Sequence, residues 1–152
     1  MKKQIMNLFF TVIFTILTLA FLQSQADAAP GDYDPSFEFD GRVYLSETVC
    51  GKPAKVLVQA DDKIIVVGTI PRYVFEGGFF ILRNHACIVR LNVNGSYDTT
   101  FDGDGVAFYD LGGGTNSAFN ATLQTTGKIV ILASTPTINT DLIRFNSNGS
   151  LD

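Results

Sequence analysis

The sequence predicts an all-β protein made of two tandem four-stranded antiparallel meanders, and three observations predict it. First, one phrase recurs: Gly31-Asp32-Tyr33-Asp34-Pro35-Ser36-Phe37 returns as Gly95-Ser96-Tyr97-Asp98-Thr99-Thr100-Phe101. Two others return in the same order, residues 59–67 as 124–132 and residues 88–95 as 142–149. Self-similarity of this kind marks an architecture of stacked repeats. Second, short runs of β-branched and aromatic residues alternate with clusters of Gly, Asn and Thr, the pattern of strands and turns. Third, nothing after Leu22 sustains the 3.6-residue period of an amphipathic helix.

Taken in order, the chain opens with Met1-Lys2-Lys3, an apolar stretch over residues 5–22, and Ala26-Asp27-Ala28. A positive start, an apolar stretch and small residues at the cut make a signal peptide, residues 1–28, removed after Ala28. The stretch is short for a membrane span, which needs roughly 20 apolar residues. The protein is therefore expected outside the cytoplasm, secreted or in the envelope, with no membrane attachment once the signal is cut. Residues 29–152 form the repeat region: repeat 1 about 31–94, repeat 2 about 95–148, and the start of repeat 3 at 149–152. A stop in the middle of a phrase leads to the expectation of a longer natural chain.

In the second copy, strands are expected over residues 106–111, 118–124, 128–133 and 141–145. Gly112-Gly113-Gly114 ends the first, and Asn146-Ser147-Asn148-Gly149 the last. Gly127 stands in the turn between the middle two, where positive φ is expected and glycine meets no steric cost. Asp62 holds that place in the first copy, and Asp tolerates the conformation better than most residues. The copies differ in one link: residues 71–87 replace the short residues 136–141, and this aromatic insertion reads as a lengthened hairpin. Its Tyr73, Phe75, Phe79 and Phe80 form either a binding patch for a protein or sugar, or packing against the first copy.

Cys50 and Cys87 are the two cysteines of the chain. In an oxidising compartment such a pair invites a disulfide, which would clip the insertion to the strand framework. From Ala29 onward nine Lys or Arg stand against fourteen Asp or Glu. That acidic balance argues against nucleic acid and anionic membranes as partners.

The phrases running through residues 95–106, 124–130 and 144–152 resemble the delta-60 repeat, a bacterial repeat that builds β-propeller-type blades. The resemblance covers nearly all of residues 31–152. Asp102 and Asp62 stand where that family usually has Gly. The resemblance implies an extracytoplasmic, propeller-like protein, and it implies no reaction. Closed propellers use about four to eight blades, so two blades make an incomplete ring.

Candidates for chemistry are few. Asp102-Gly103-Asp104-Gly105 and residues 92–98 faintly resemble calcium loops but lack the third oxygen ligand and the distal Glu. Turn-making accounts for them as well. His85 is the single histidine and reads as an exposed loop residue. No nucleophile elbow or oxyanion-hole motif stands near it, and Asp32 and Asp34 read as turn carboxylates. No catalytic residue, cofactor or metal is expected. The leading expectation is a non-catalytic scaffold at the cell surface or envelope that binds a protein or glycan, with a homo-oligomer if two repeats are the whole product. The alternatives are a carbohydrate- or calcium-binding module, and the N-terminal part of an extracellular hydrolase.

Overall fold

Runs rich in Val and Ile pack well on a pleated surface, and turn residues decide where each run stops. In the computed structural model these runs become strands. Residues 31–112, 116–134 and 140–152 are described, and the expected signal peptide lies outside them. The chain divides into two units, Met1–Asp34 and Pro35–Asp152. Of the first, only residues 31–34 are described, a turn that Gly31 opens at φ 97°. The second carries all the regular structure described.

A single helical turn, α1 (Glu47–Cys50), starts at Ser46, whose hydroxyl accepts a hydrogen bond from Thr48 N at 3.1 Å. β1 (Lys52–Val58), β2 (Ile64–Glu76), β3 (Phe79–Leu91) and β4 (Val106–Asp110) then form a four-stranded antiparallel sheet in chain order. β5 (Ala118–Leu123), β6 (Ile129–Ser134) and β7 (Thr140–Phe145) form a three-stranded antiparallel sheet. The described residues are all-β apart from α1, and they form two tandem meanders and no closed ring. Both meanders bulge at the same place, between Pro53 and Lys55 and between Ala118 and Asn120. The turn before β6 places Gly127 at φ 79°, and its counterpart before β2 places Asp62 at φ 60°.

One strand changes sheet relative to the sequence reading. Residues 106–111 open the second copy in sequence, yet β4 pairs with β3, from Val89 opposite Val106 to His85 opposite Asp110. The cause is the preceding turn. Asp102, Gly103 and Gly105 take φ 49°, 89° and 91°, which folds the chain back so that Gly105 O accepts from Arg90 N at 2.9 Å. Sequence repeat and sheet are thus one strand out of phase.

Alternation along β2 and β3 divides the core. Ile65, Val67, Ala86 and Ile88 point to one side and join Ile129, Ile131, Ala133, Ile143 and Phe145 of the second sheet, so the sheets pack face to face. Phe101, Ala107 and Leu111 fill the same layer. On the other side Val66, Ile70, Cys87 and Val89 pack under Cys50, with Val43, Leu45 and Val49 beside them.

Candidate functional site

The insertion is a hairpin, and most of it stands clear of the sheet. β1 flanks β2 only as far as Thr69, and β4 flanks β3 only as far as His85. Beyond that, β2 and β3 continue as a two-stranded ribbon, paired through Glu76 opposite Phe79. Gly77 and Gly78 at φ 60° and 88° close it, the double left-handed turn that matches strand twist. Two arginines hold its base. Arg72 lies over the Phe108 ring at 3.9 Å, and Arg83 donates to Asp110 at 3.1 Å and pairs with Glu76.

Cross-strand partners share a face, so Tyr73 and Leu82, then Phe75 and Phe80, line one side of the ribbon. They are 71%, 50%, 68% and 73% exposed, respectively. The Phe75 and Phe80 rings meet edge to face with centroids 5.2 Å apart. Phe79 is on the opposite side with Glu76, equally exposed. Of the four aromatics singled out from sequence, three are therefore brought together and Phe79 is not. Leu82 completes the face; strand alternation from Phe80 was the signal that could have found it. Among the described residues no layer lies beneath the ribbon, which runs past the ends of β1 and β4, so these aromatics stay exposed and do not pack against the first copy.

Cys50 and Cys87 are bonded, with Cα atoms 5.6 Å apart. The bond does not reach the ribbon. It fastens α1, ahead of β1, across the sheet to β3. Gly68 makes room for it: a Cβ there would lie 2.9 Å from Cys50 Sγ and 2.5 Å from Lys52 O.

A set of charges that sequence reading passed over explains why the repeat phrases look as they do. Asp98 is buried between Lys63 Nζ at 2.9 Å and Arg90 Nε at 2.7 Å, and accepts from Thr100 Oγ1 at 2.7 Å. Burial alone would raise its carboxyl. The Lys63 and Thr100 hydrogen bonds and the Arg90 guanidinium outweigh burial and hold it well below the usual carboxylate range. Arg90 also donates to Ser147 O at 2.6 Å and covers the Phe101 ring at 4.7 Å, which ties the first sheet to the second copy. The next copy repeats the set nearer the surface, where Lys128 and Arg144 pair with Asp152. These charges serve one another.

The remaining polar candidates make turns. Asn94 Oδ1 accepts from Ser96 N, and Asn148 Oδ1 does the same for Ser150 N. Asp104 Oδ1 accepts from Val106 N at 2.8 Å. Among the described residues no three His, Cys, Asp or Glu side chains cluster to hold a metal ion. His85 is not the exposed loop residue expected. It sits half-buried in β3 opposite Asp110, with Nδ1 3.2 Å from Arg83 O. The ribbon starts beyond it, so the strand reaches further than the insertion suggested.

The second sheet also presents an apolar outer side. Asn120, Ala121, Thr122, Val130, Leu132 and Leu142 line a shallow depression of about 200 Å³, with Leu142 73% exposed. No helix among the described residues is long and apolar enough to cross a membrane.

Comparison with known proteins agrees with the two-meander geometry. The family model described as "Domain of unknown function (DUF5122) beta-propeller" matches residues 59–101 and 124–152. Both matched segments hold the turn before the second strand of a meander, that strand, and the Lys, Arg and Asp set. The chain carries repeats of β-propeller type. No curated protein and no solved structure matches it.

Proposed function

We propose that this β-propeller-type repeat protein is an exported, non-catalytic interaction scaffold, and that the aromatic side of the β2–β3 ribbon binds a partner protein. The observation that carries the proposal is that side itself: Tyr73, Phe75, Phe80 and Leu82 lie exposed together on a ribbon fastened by Arg72 and Arg83. Rings with two rotatable bonds lose little entropy when covered, which suits aromatic anchors to binding. The signal-like residues 1–28 and the delta-60 resemblance support export, and a disulfide suits an oxidising compartment. A scaffold fits better than an enzyme because the clustered ionisable groups already engage one another.

The test places a photo-crosslinking residue at Tyr73 in the natural host. The expected result is one discrete adduct with a protein of the extracytoplasmic fraction, lost in the Phe75→Ala/Phe80→Ala variant. An adduct that survives in that variant, or retention on a glycan array with no protein adduct, would overturn the reading.

A further inference from the structure

We propose that the partner protein adds an extended segment, apolar at every second residue, as an antiparallel strand along the β2 edge of the ribbon. The inference rests on the proposed function and deepens it, because it names what kind of segment the aromatic side would hold.

Residues in an antiparallel ladder alternate between exchanging backbone bonds with the facing strand and turning N–H and C=O outward. The base of the ribbon fixes which residues do which. Asn84 N donates to Gly112 O at 3.0 Å, Leu111 N to Asn84 O at 2.8 Å, and Arg90 N to Gly105 O at 2.9 Å. The even-numbered residues of β3 therefore turn outward. Their cross-strand partners on β2 do the same, and beyond Thr69 these are Pro71, Tyr73 and Phe75. Leu82 and Phe80 turn outward on the β3 edge. The four side chains of the exposed apolar side thus belong to residues whose backbone groups also face out.

The two edges differ in what they offer. On β3, Asn84 is already bonded to residues 111 and 112, which leaves Leu82 and Phe80. On β2 the pairing with β1 ends at Thr69 opposite Lys52. Past that point Pro71 offers a carbonyl, while Tyr73 and Phe75 each offer a donor and an acceptor. Among the described residues nothing bonds to these groups. An unpaired strand edge is a template for another strand, and a helix, whose backbone groups bond one another, cannot answer it.

Further repeats of this kind would not cover the edge. The joint between the two sheets already reaches the base of the ribbon, where Ala118 N donates to Thr69 Oγ1 at 2.9 Å and Asn84 Nδ2 to Asn116 O at 2.7 Å. The aromatic side stays exposed beside it. In the second copy the matching pair of strands ends at Ser134, the counterpart of Thr69, so a repeat of that length stops short of the ribbon. The occupant must come from outside the repeat pattern.

In an antiparallel addition the residues that bond to Tyr73 and Phe75 lie directly opposite them, so their side chains share the aromatic side and should be apolar. The residues between them lie beside Arg72 and Val74, on the side where Arg83 pairs with Glu76, and can be polar. Antiparallel bonds run straight across and are the more stable per residue.

The test titrates the full chain with a short fluorescein-labelled peptide of alternating valine and threonine, read by anisotropy. Binding is expected. Methylating the threonine nitrogens blocks the far edge of the added strand and should leave binding in place. Methylating the valine nitrogens removes the donors aimed at the ribbon and should abolish it. On the chain, Phe75→phenyllactate keeps the ring and exchanges the outward N–H for an ester oxygen, and affinity should fall by about three- to tenfold. Phe80→phenyllactate makes the same change on the β3 edge and should leave affinity as it was. No binding of the unmethylated peptide, equal binding of the two methylated peptides, or equal affinity of the two ester variants would overturn the proposal. Any of these results beside a Tyr73 adduct that needs Phe75 and Phe80 would keep the ribbon as a binding side and remove the added strand. Without that adduct, both readings fall.

Discussion

At the residue scale the repeat is held by Lys63, Arg90 and Asp98, three charges that no local pattern joins, since Lys63 and Asp98 stand 35 residues apart. Sequence reading found the phrases that carry them and left their meaning open, because ion pairing across strands has no periodicity. The two copies of the set make an internal comparison. Asp98 is 3% exposed, and replacing it with Asn leaves Lys63 and Arg90 facing an uncharged group in a dry site. Breaking a buried pair costs about 3–5 kcal/mol, so Asp98→Asn is expected at about 3 kcal/mol of unfolding free energy by urea titration. Asp152 is an exposed counterpart, and Asp152→Asn is expected to cost far less in the same titration, because solvent screens its pairs with Lys128 and Arg144. The pH dependence has a definite sign. The Asp98 carboxyl is depressed in the folded chain, so its contribution is complete above the unfolded carboxylate value of about 4 and declines as the pH falls below it. Wild type should lose stability more steeply than Asp98→Asn on acidification below that value. Equal slopes would mean that the pair contributes nothing.

At the scale of elements, what could be read from sequence is what local chemistry decides. The four strands expected in the second copy fall within a residue or so of β4 to β7, because Val and Ile runs and Gly or Asn turns set both ends. The Gly127 and Asp62 turns take positive φ for the steric reason that predicted them. The sheet to which β4 belongs was not readable, because a sequence period has no marker for where hydrogen bonding begins a new sheet. The role of the disulfide was misplaced for the same reason: Cys87 is the last residue of the insertion in sequence, but β3 carries it back into the body of the sheet. Cys50–Cys87 closes a separation of 37 residues, and a chain-entropy estimate for such a loop is about 3–4 kcal/mol. Cys50→Ser with Cys87→Ser should lower the unfolding free energy by about that amount. Because the bond holds the cap and not the ribbon, trimming residues 73–82 to an Asn-Gly turn between Arg72 and Arg83 should leave the loss unchanged. A smaller loss in the trimmed chain would place the staple's effect in the ribbon.

At the scale of the whole molecule, the question is whether two sheets joined by one layer behave as two bodies or one. Repeat proteins approximate a row of units, each with its own stability and a coupling to its neighbours. Here the coupling is most of the core. Ile65 and Val67 of the first sheet, and Ile129 and Ile131 of the second, are fully buried only against one another. Phe101, at 0% exposure, sits in that shared layer and belongs by sequence to the second copy, while the strand that follows it belongs to the first sheet. Neither sheet can keep dry alone the face it turns to the other, so a half-unfolded chain would expose the layer that stabilises the remaining half. Unfolding in urea should therefore be a single transition, with far-UV circular dichroism and tyrosine absorbance coincident. Truncating a buried Phe costs about 3–5 kcal/mol, and Phe101→Ala should lower the unfolding free energy by that amount, and the midpoint with it, without changing the denaturant slope. Two separated transitions in the wild type, or a Phe101→Ala chain in which one sheet melts early, would show that the sheets are independent bodies. The shared layer would then be a contact between blades rather than the core of one folding unit.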